Sequence, residues 1–204
     1  FSDLNRDGFL DVVFCPNASG VQTKRRFLTI IYGGEDGWPA HRATGLLPVH
    51  GARAIAVADL DADQWPDIVT LNDEAWLPGQ PGPGKILRIF WGSATGFMMT
   101  RHADLALEGA AALAATDLDE DGALDLAVLA GKKLIIYQSD SAAWDRGEGE
   151  KTEIALPGRG VALVAGDATG DGHADVVIAG SEAVVYLLAG SGSWDLPEPR
   201  PLPA

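Results

Sequence analysis

A nine-residue acidic segment occurs four times in this chain of 204 residues, and it constrains the fold more than any other feature. Each copy carries an acidic or polar side chain at positions 1, 3, 5 and 9, and the first aspartates lie 56, 58 and 50 residues apart. Self-similarity at such a period indicates repeated supersecondary units. The copies, named loops 1 to 4 here, are DLNRDGFLD (3–11), DLDADQWPD (59–67), DLDEDGALD (117–125) and DATGDGHAD (167–175).

Short runs of β-branched and apolar residues surround the acidic loops and predict β-strands. One run precedes loops 2 to 4, and another follows every loop, as at 54–58 and 68–70 around loop 2. A third run leads into a glycine- or serine-rich turn that ends in an aromatic residue, and a weaker fourth run closes the repeat. The third runs are 28–32, 86–91, 134–137 and 184–188, the aromatic residues are Trp38, Phe97, Trp144 and Trp194, and the fourth runs lie around 43–49, 101–107 and 152–156.

These elements together predict an all-β fold. No segment keeps a 3.6-residue hydrophobic period, so helix is expected to be almost absent. Four-stranded antiparallel units that recur about every 55 residues are typical of β-propeller blades, whereas a calcium-binding β-helix repeats about every nine residues. The predicted blades are approximately residues 1–50, 51–108, 109–157 and 158–204.

The acidic loop, the strand after it and the glycine-aromatic turn recur in the same order in all four units. In this they resemble the FG-GAP repeats, including VCBS-type repeats, of integrin α-subunit propellers and their bacterial relatives. The resemblance implies a ring of seven or eight blades, with calcium in the loop between strands one and two of certain blades. Because Phe1 lies two positions before loop 1, we expect the first unit to lack its innermost strand and the four units to form part of a larger ring. Residues 202–204 resemble the stretch before an innermost strand, and a polyproline linker over 197–203 is the alternative.

The acidic loops have the chemistry of a calcium site. Calcium takes six to eight oxygen ligands, and a glycine at position 6 permits the turn that directs them inward. Positions 1, 3, 5 and 9 would supply side-chain oxygens and position 7 a backbone carbonyl. The candidate ligands are Asp3, Asn5, Asp7, Phe9 and Asp11 in loop 1; Asp59, Asp61, Asp63, Trp65 and Asp67 in loop 2; Asp117, Asp119, Asp121, Ala123 and Asp125 in loop 3; and Asp167, Thr169, Asp171, His173 and Asp175 in loop 4.

The loops differ in how completely they match this pattern. Loops 1 and 3 match at every position, so the strongest calcium binding is expected there. Gln64 replaces the glycine of loop 2, and Thr169 replaces an acidic side chain in loop 4, so both should bind less tightly. Up to four Ca²⁺ ions are expected in total.

Two other interpretations of the acidic loops agree less well with the sequence. An EF-hand requires a glutamate at position 12 and flanking helices, but that position holds Phe14, Thr70, Val128 and Ile178. Aspartate also favours ordinary solvated turns. Against that reading, fourteen aspartates occupy ligand positions, and so many like charges in four tight loops would repel one another without a cation.

Composition limits the classes of partner. The chain has 29 acidic and 15 basic residues and a net charge of −14, which argues against nucleic acid or an anionic membrane as the partner. A single cysteine, Cys15, excludes an internal disulfide or a multi-cysteine zinc site. No window of the sequence is apolar enough for a membrane span.

No catalytic motif is evident, so an enzyme is not expected. His41, His50, His102 and His173 are scattered, and none has a nucleophile or carboxylate at motif spacing. We predict a non-catalytic calcium-binding propeller module, extracellular or periplasmic, that binds a protein partner, either further blades or another subunit. The alternative is a glycan-binding propeller or the propeller portion of a polysaccharide-acting enzyme, with Trp76 in the long loop 73–84 as a candidate contact.

Overall fold

The computed structural model describes residues 1–15, 25–50, 52–72, 86–138, 151–181, 184–191 and 200–201, which form fifteen β-strands and one short 3₁₀ turn at Ala40–Arg42. No helix in these ranges is long and apolar enough to cross a membrane. The strands are β1 (Val12–Phe14), β2 (Arg25–Ile31), β3 (Ala43–His50), β4 (Ala54–Ala58), β5 (Asp67–Asn72), β6 (Ile86–Phe90), β7 (His102–Ala106), β8 (Ala110–Thr116), β9 (Asp125–Ala130), β10 (Lys133–Tyr137), β11 (Lys151–Ala155), β12 (Gly160–Gly166), β13 (Asp175–Gly180), β14 (Val185–Leu188) and β15 (Arg200–Pro201).

The strands form four antiparallel sheets, and each sheet uses strands that are consecutive in the sequence. Sheet 1 contains β1 to β3, sheet 2 β4 to β7, sheet 3 β8 to β11 and sheet 4 β12 to β15. The predicted all-β fold with four-stranded antiparallel units is therefore confirmed for sheets 2 to 4. Within the described residues, β1 follows loop 1 and corresponds to the second strand of the other sheets.

The central strands of sheets 2 and 3 are buried on both faces. Every residue of β5 and β6 is buried, and the polar residues among them are Asp67, Thr70, Asn72 and Arg88. The fourth strands of sheets 2 and 3 are more exposed: in β7 only Leu105 is buried, and β11 alternates exposed and half-buried residues. Loops 2 and 3 thus lead into second strands that are buried in a hydrophobic layer.

The chain divides into two compact units, Phe1–Ala106 and Leu107–Ala204. Each unit has its own interior between two sheets. The core of the first unit contains Leu28, Ile30, Leu47, Val49, Ile68 and Phe90, and that of the second contains Ala127, Leu129, Leu134, Ile136, Val176, Ile178 and Leu188. The half-buried Cys15 packs beside the first of these cores, as expected for a small apolar side chain.

The closing strand of sheet 4 was not predicted. Arg200 and Pro201 pair with Leu187 and Tyr186, so these two residues belong to the sheet and not to a polyproline linker. A proline is compatible with this position because β15 is an edge strand. Several sequence-based predictions lie outside the described residues: the turns at Trp144 and Trp194, the loop with Trp76, and residues 202–204.

Candidate metal sites

Loops 2, 3 and 4 each join the first strand of a sheet to the second. Loop 2 lies between β4 and β5, loop 3 between β8 and β9, and loop 4 between β12 and β13. Loop 1 leads into β1 and is closed by a two-way backbone bridge between Ser2 and Asp11. The four loops therefore have the same place relative to the following strand.

The position-9 aspartate fastens each loop to its sheet. In loop 2 the backbone N–H of Leu60 donates to Asp67 Oδ2 at 2.8 Å, and the N–H of Gly92 donates to Asp67 Oδ1 at 2.8 Å. Asp67 is fully buried. The same bonds connect Asp11 to Leu4 and Gly33, and Asp175 to Ala168 and Gly190, and Leu118 donates to Asp125.

The glycine that begins the turn after the third strand has a steric role that sequence reasoning missed. A Cβ atom at Gly92 would lie within 3.0 Å of the carbonyl oxygen of Pro66, at position 8 of loop 2. Gly33 and Gly190 stand in the same relation to Leu10 and Ala174. At these three positions the absence of a Cβ lets the turn approach the loop closely enough to bond the position-9 aspartate. This glycine recurs at the start of three of the four predicted turns, and that recurrence could have indicated its steric role.

Two positions of each loop adopt left-handed backbone conformations. Position 6 has φ of 91° at Gly8, 73° at Gln64, 92° at Gly122 and 93° at Gly172. Gln64 therefore keeps the turn that glycine makes elsewhere, at the conformational cost of a side chain in this region. Position 4 is also left-handed, at Arg6, Ala62, Glu120 and Gly170, which the sequence pattern did not suggest.

Carboxylates converge in loops 2 and 3. Oxygens of Asp59, Asp61 and Asp67 lie within 4.8 Å of one another, and so do those of Asp117, Asp119 and Asp125. Asp63 and Asp121 stand outside these groups, and each accepts a hydrogen bond from the N–H of position 7 at 2.8 Å. Three oxygens at such spacing can be ligands of one cation.

One oxygen in each group is buried without a hydrogen-bond partner. These atoms are Asp59 Oδ1 and Asp117 Oδ1, both at position 1, while the Oδ2 atoms accept from the N–H of Gln64 at 2.8 Å and Gly122 at 3.0 Å. A buried carboxylate oxygen without a partner is costly. A cation held by the same carboxylates would satisfy it, so the residues of loops 2 and 3 fit a metal ion.

Loops 1 and 4 differ from loops 2 and 3 at position 3, where neither has a carboxylate. Within the described residues, neither loop 1 nor loop 4 forms a group of three converging acidic side chains. In loop 1 position 3 is Asn5, whose amide donates to Asp7 Oδ2 at 2.9 Å. In loop 4 position 3 is Thr169, whose backbone N–H donates to Asp175 Oδ2 at 2.9 Å. Loop 2 matches loop 3 because Gln64 preserves the turn and Asp61 supplies the third carboxylate.

Burial and mutual repulsion act on the ionisation of these groups. Burial raises the pKa of Asp67 to about 7 against its two backbone hydrogen bonds, and it raises the pKa of Asp11. Burial and the neighbouring Asp63 raise the pKa of Asp61. At Asp175 burial also raises the pKa, but the N–H groups that donate to its carboxylate bring the pKa below the ordinary value. A nearby cation would favour the ionised form in every case.

Arg101 partly offsets the negative charge of loop 2. Its Nη1 donates to the carbonyl of Gly92 at 2.7 Å, and its Nη2 lies 3.8 Å from oxygens of both Asp61 and Asp63. Arg42 makes the same bond to the carbonyl of Gly33 at 2.8 Å. These arginines therefore fix the glycine turn that supports the loop.

Among the described residues, the histidines do not assemble a catalytic group. His102 Nδ1 lies 2.9 Å from the carbonyl of Met99 and Nε2 4.0 Å from Asp104, while His41 is exposed. His173 bonds Glu120 of loop 3, which raises the pKa of the imidazole. The side chain of His50 is outside the described set.

Substituting Asp67 and Asp61 separates the structural role from the ligand role. With excess chelator, Asp67→Asn is expected to lower the free energy of unfolding by about 2 kcal/mol, because an amide cannot accept from both buried N–H groups. Asp61→Asn should change it by less than about 0.5 kcal/mol, since its oxygen can still accept from Asp63. Urea denaturation checks both variants, and equal losses would contradict this division of roles.

Comparison with known families agrees with this geometry. A family model for the FG-GAP-like repeat matches residues 3–70 and 117–178, which together are more than half of the chain. Each matched segment begins at an acidic loop and includes two of the four loops. No curated protein matches the sequence. The chain therefore belongs to the family of FG-GAP-like repeat proteins.

Proposed function

We propose that this chain is a non-catalytic calcium-binding β-propeller module that acts outside the cytoplasm in protein–protein interaction or assembly. The observation that carries the proposal is the coincidence, in loops 2 and 3, of converging carboxylates with a buried oxygen that lacks a partner. Membership of the FG-GAP-like repeat family supports the propeller architecture. The sheets would be its blades.

Calcium is the cation that this donor set favours. The converging groups are all carboxylates, and hard oxygen donors favour calcium, magnesium or manganese over softer metals. A flexible loop with many oxygens favours calcium, because magnesium demands near-ideal octahedral geometry and retains its waters. Asp59, Asp61 and Asp67, with their counterparts in loop 3, would hold the ion, which would supply positive charge between two strands of one blade.

The affinity expected for such loops favours a location outside the cytoplasm. Extracellular calcium modules have dissociation constants of about 10⁻⁴ to 10⁻³ M. Sites of that strength are filled where free calcium is in the millimolar range. Each bound calcium ion would also reduce the net negative charge of the chain, which is −14 without ions.

Exposed sheet faces support a role in assembly. In the second unit, Ala127 of sheet 3 and Ile178 of sheet 4 belong to one core between the sheets. Val177 follows loop 4 by the same number of residues as Ala127 follows loop 3. The face of sheet 4 that carries Val177 therefore corresponds to the face of sheet 3 that packs against sheet 4. On that face Val164, which pairs with Val177, is 64% exposed. We infer that a further blade packs there.

Sheet 1 presents the complementary face. Phe14 follows loop 1 by the same number of residues as Ile178 follows loop 4, yet Phe14 is 40% exposed whereas Ile178 is fully buried. Phe27, on the neighbouring strand, is 46% exposed. Apolar faces of this kind associate with other protein surfaces.

Self-association of the isolated chain tests this part of the proposal. We expect the mass measured by sedimentation to increase with protein concentration, and the double variant Val164→Lys, Phe14→Lys to weaken association about tenfold or more, because each change removes buried apolar area. Met98→Lys is the control, since Met98 is 54% exposed but lies outside the sheets. A wild-type chain that remains monomeric, or variants that associate unchanged, would contradict the proposal.

A further inference from the structure

Side chains at position 4 of two loops contact position 7 of the next loop. Arg6 of loop 1 lies over the ring of Trp65 of loop 2, with its guanidinium carbon 5.7 Å from the ring centroid. Glu120 of loop 3 accepts a hydrogen bond from Nδ1 of His173 of loop 4. The same two positions are used in both units, although one contact is cation–π and the other is a hydrogen bond between an imidazole and a carboxylate.

Both contacts reach the residue whose backbone carbonyl is a candidate ligand. The N–H of Trp65 is already held by Asp63 and that of His173 by Asp171, at 2.8 and 3.0 Å. A second contact, through the side chain, restricts the same residue further. Restricting a ligand before binding reduces the conformational entropy that binding must remove.

The residues at position 4 that make these contacts share a backbone conformation. Arg6 and Glu120 both have left-handed backbones, with φ of 57° and 62°. Ala62 and Gly170, at the same position of loops 2 and 4, have no side chain long enough for such a contact. Within the first unit Arg6 thus links loop 1 to loop 2, and within the second unit Glu120 links loop 3 to loop 4.

We infer that Arg6 and Glu120 are positioning residues that couple adjacent loops, so that a cation in the first loop of each pair strengthens binding in the second. The inference rests on the proposed calcium binding. A cation in loop 1 would fix Asp7 and the backbone around Arg6, and Arg6 would transmit this order to Trp65. A contact at an exposed site changes affinity by about two- to fivefold.

Terbium, a luminescent substitute for calcium, allows loop 2 to be observed separately. Trp65 lies within loop 2 and can sensitise terbium emission, and the emission that disappears in Asp61→Asn, which removes a loop 2 ligand and keeps Trp65, belongs to that loop. We expect Asp7→Asn, which weakens loop 1, to raise the terbium dissociation constant of loop 2 about two- to fivefold. In an Arg6→Gln background, Asp7→Asn should leave the terbium dissociation constant of loop 2 unchanged. In an Arg6→Lys background, which keeps a cation over the ring, Asp7→Asn should again raise that constant.

The possible outcomes separate the inference from the proposed function. If terbium binds loop 2 but Asp7→Asn has the same effect, or none, in the wild-type and the Arg6→Gln backgrounds, the coupling is wrong and calcium binding stands. If the wild-type chain shows no saturable terbium or calcium binding, both are wrong. Coupling that is lost in Arg6→Gln and restored in Arg6→Lys supports the inference.

Discussion

Gly92→Ala is expected to lower the free energy of unfolding by about 3 kcal/mol. The added Cβ would meet the backbone carbonyl oxygen of Pro66, which cannot move without displacing loop 2. That displacement would also lengthen the bond from the Gly92 N–H to the buried Asp67. Chemical denaturation in chelator measures the loss without a contribution from cation binding.

Adjacent glycines in the first unit provide the matched control. At Gly33 an added Cβ would meet the carbonyl oxygen of Leu10, whereas at Gly34 it would meet only the guanidinium end of Arg42. A flexible side chain can move aside, so Gly34→Ala should cost less than about 1 kcal/mol while Gly33→Ala should resemble Gly92→Ala. Similar losses at Gly33 and Gly34 would show that the close approach to the loop is not responsible.

Calcium is expected to stabilise the chain by a comparable or larger amount. A ligand that binds only the folded state adds about 2.7 kcal/mol per site at a hundredfold excess over its dissociation constant. With two sites of about 10⁻⁴ to 10⁻³ M, about 10 mM calcium should add about 3 to 5 kcal/mol and raise the melting temperature on the order of 10 °C relative to chelator. Magnesium at the same ionic strength should give a clearly smaller rise, and equal shifts with both ions would indicate ionic screening alone.

The sequence was sufficient for the strands and the acidic loops because both depend on local patterns. Alternating and β-branched runs predicted β4 at 54–58 and the neighbouring strands, and the repeated aspartates located every loop. The convergence of three carboxylates in loop 2 was not predictable in this way. A glycine count favours loop 1 over loop 2, yet Gln64 adopts the required left-handed conformation, and Asn5 removes a carboxylate from loop 1.

Features that depend on distant parts of the chain could not be derived from local patterns. The bond between Gly92 and Asp67 joins residues 25 positions apart, and its steric requirement becomes visible only when the turn and the loop are placed together. The same holds for Arg88, which is 5% exposed and forms two 2.6 Å bonds with Asp104 of the next strand. A charged residue in the middle of β6 gives no indication of its partner until the register is known.

Counting bound calcium in the wild-type chain and in the double variant Asp61→Asn, Asp119→Asn is the most direct test of the central claim. Each substitution removes one converging carboxylate while leaving the position-9 aspartate that fastens the loop. We expect calorimetric titration to give at least two ions per wild-type chain, and two fewer in the double variant, with both proteins folded in chelator. Absence of saturable binding to the wild-type chain, or the same number of ions in both proteins, would contradict the assignment of loops 2 and 3 as calcium sites.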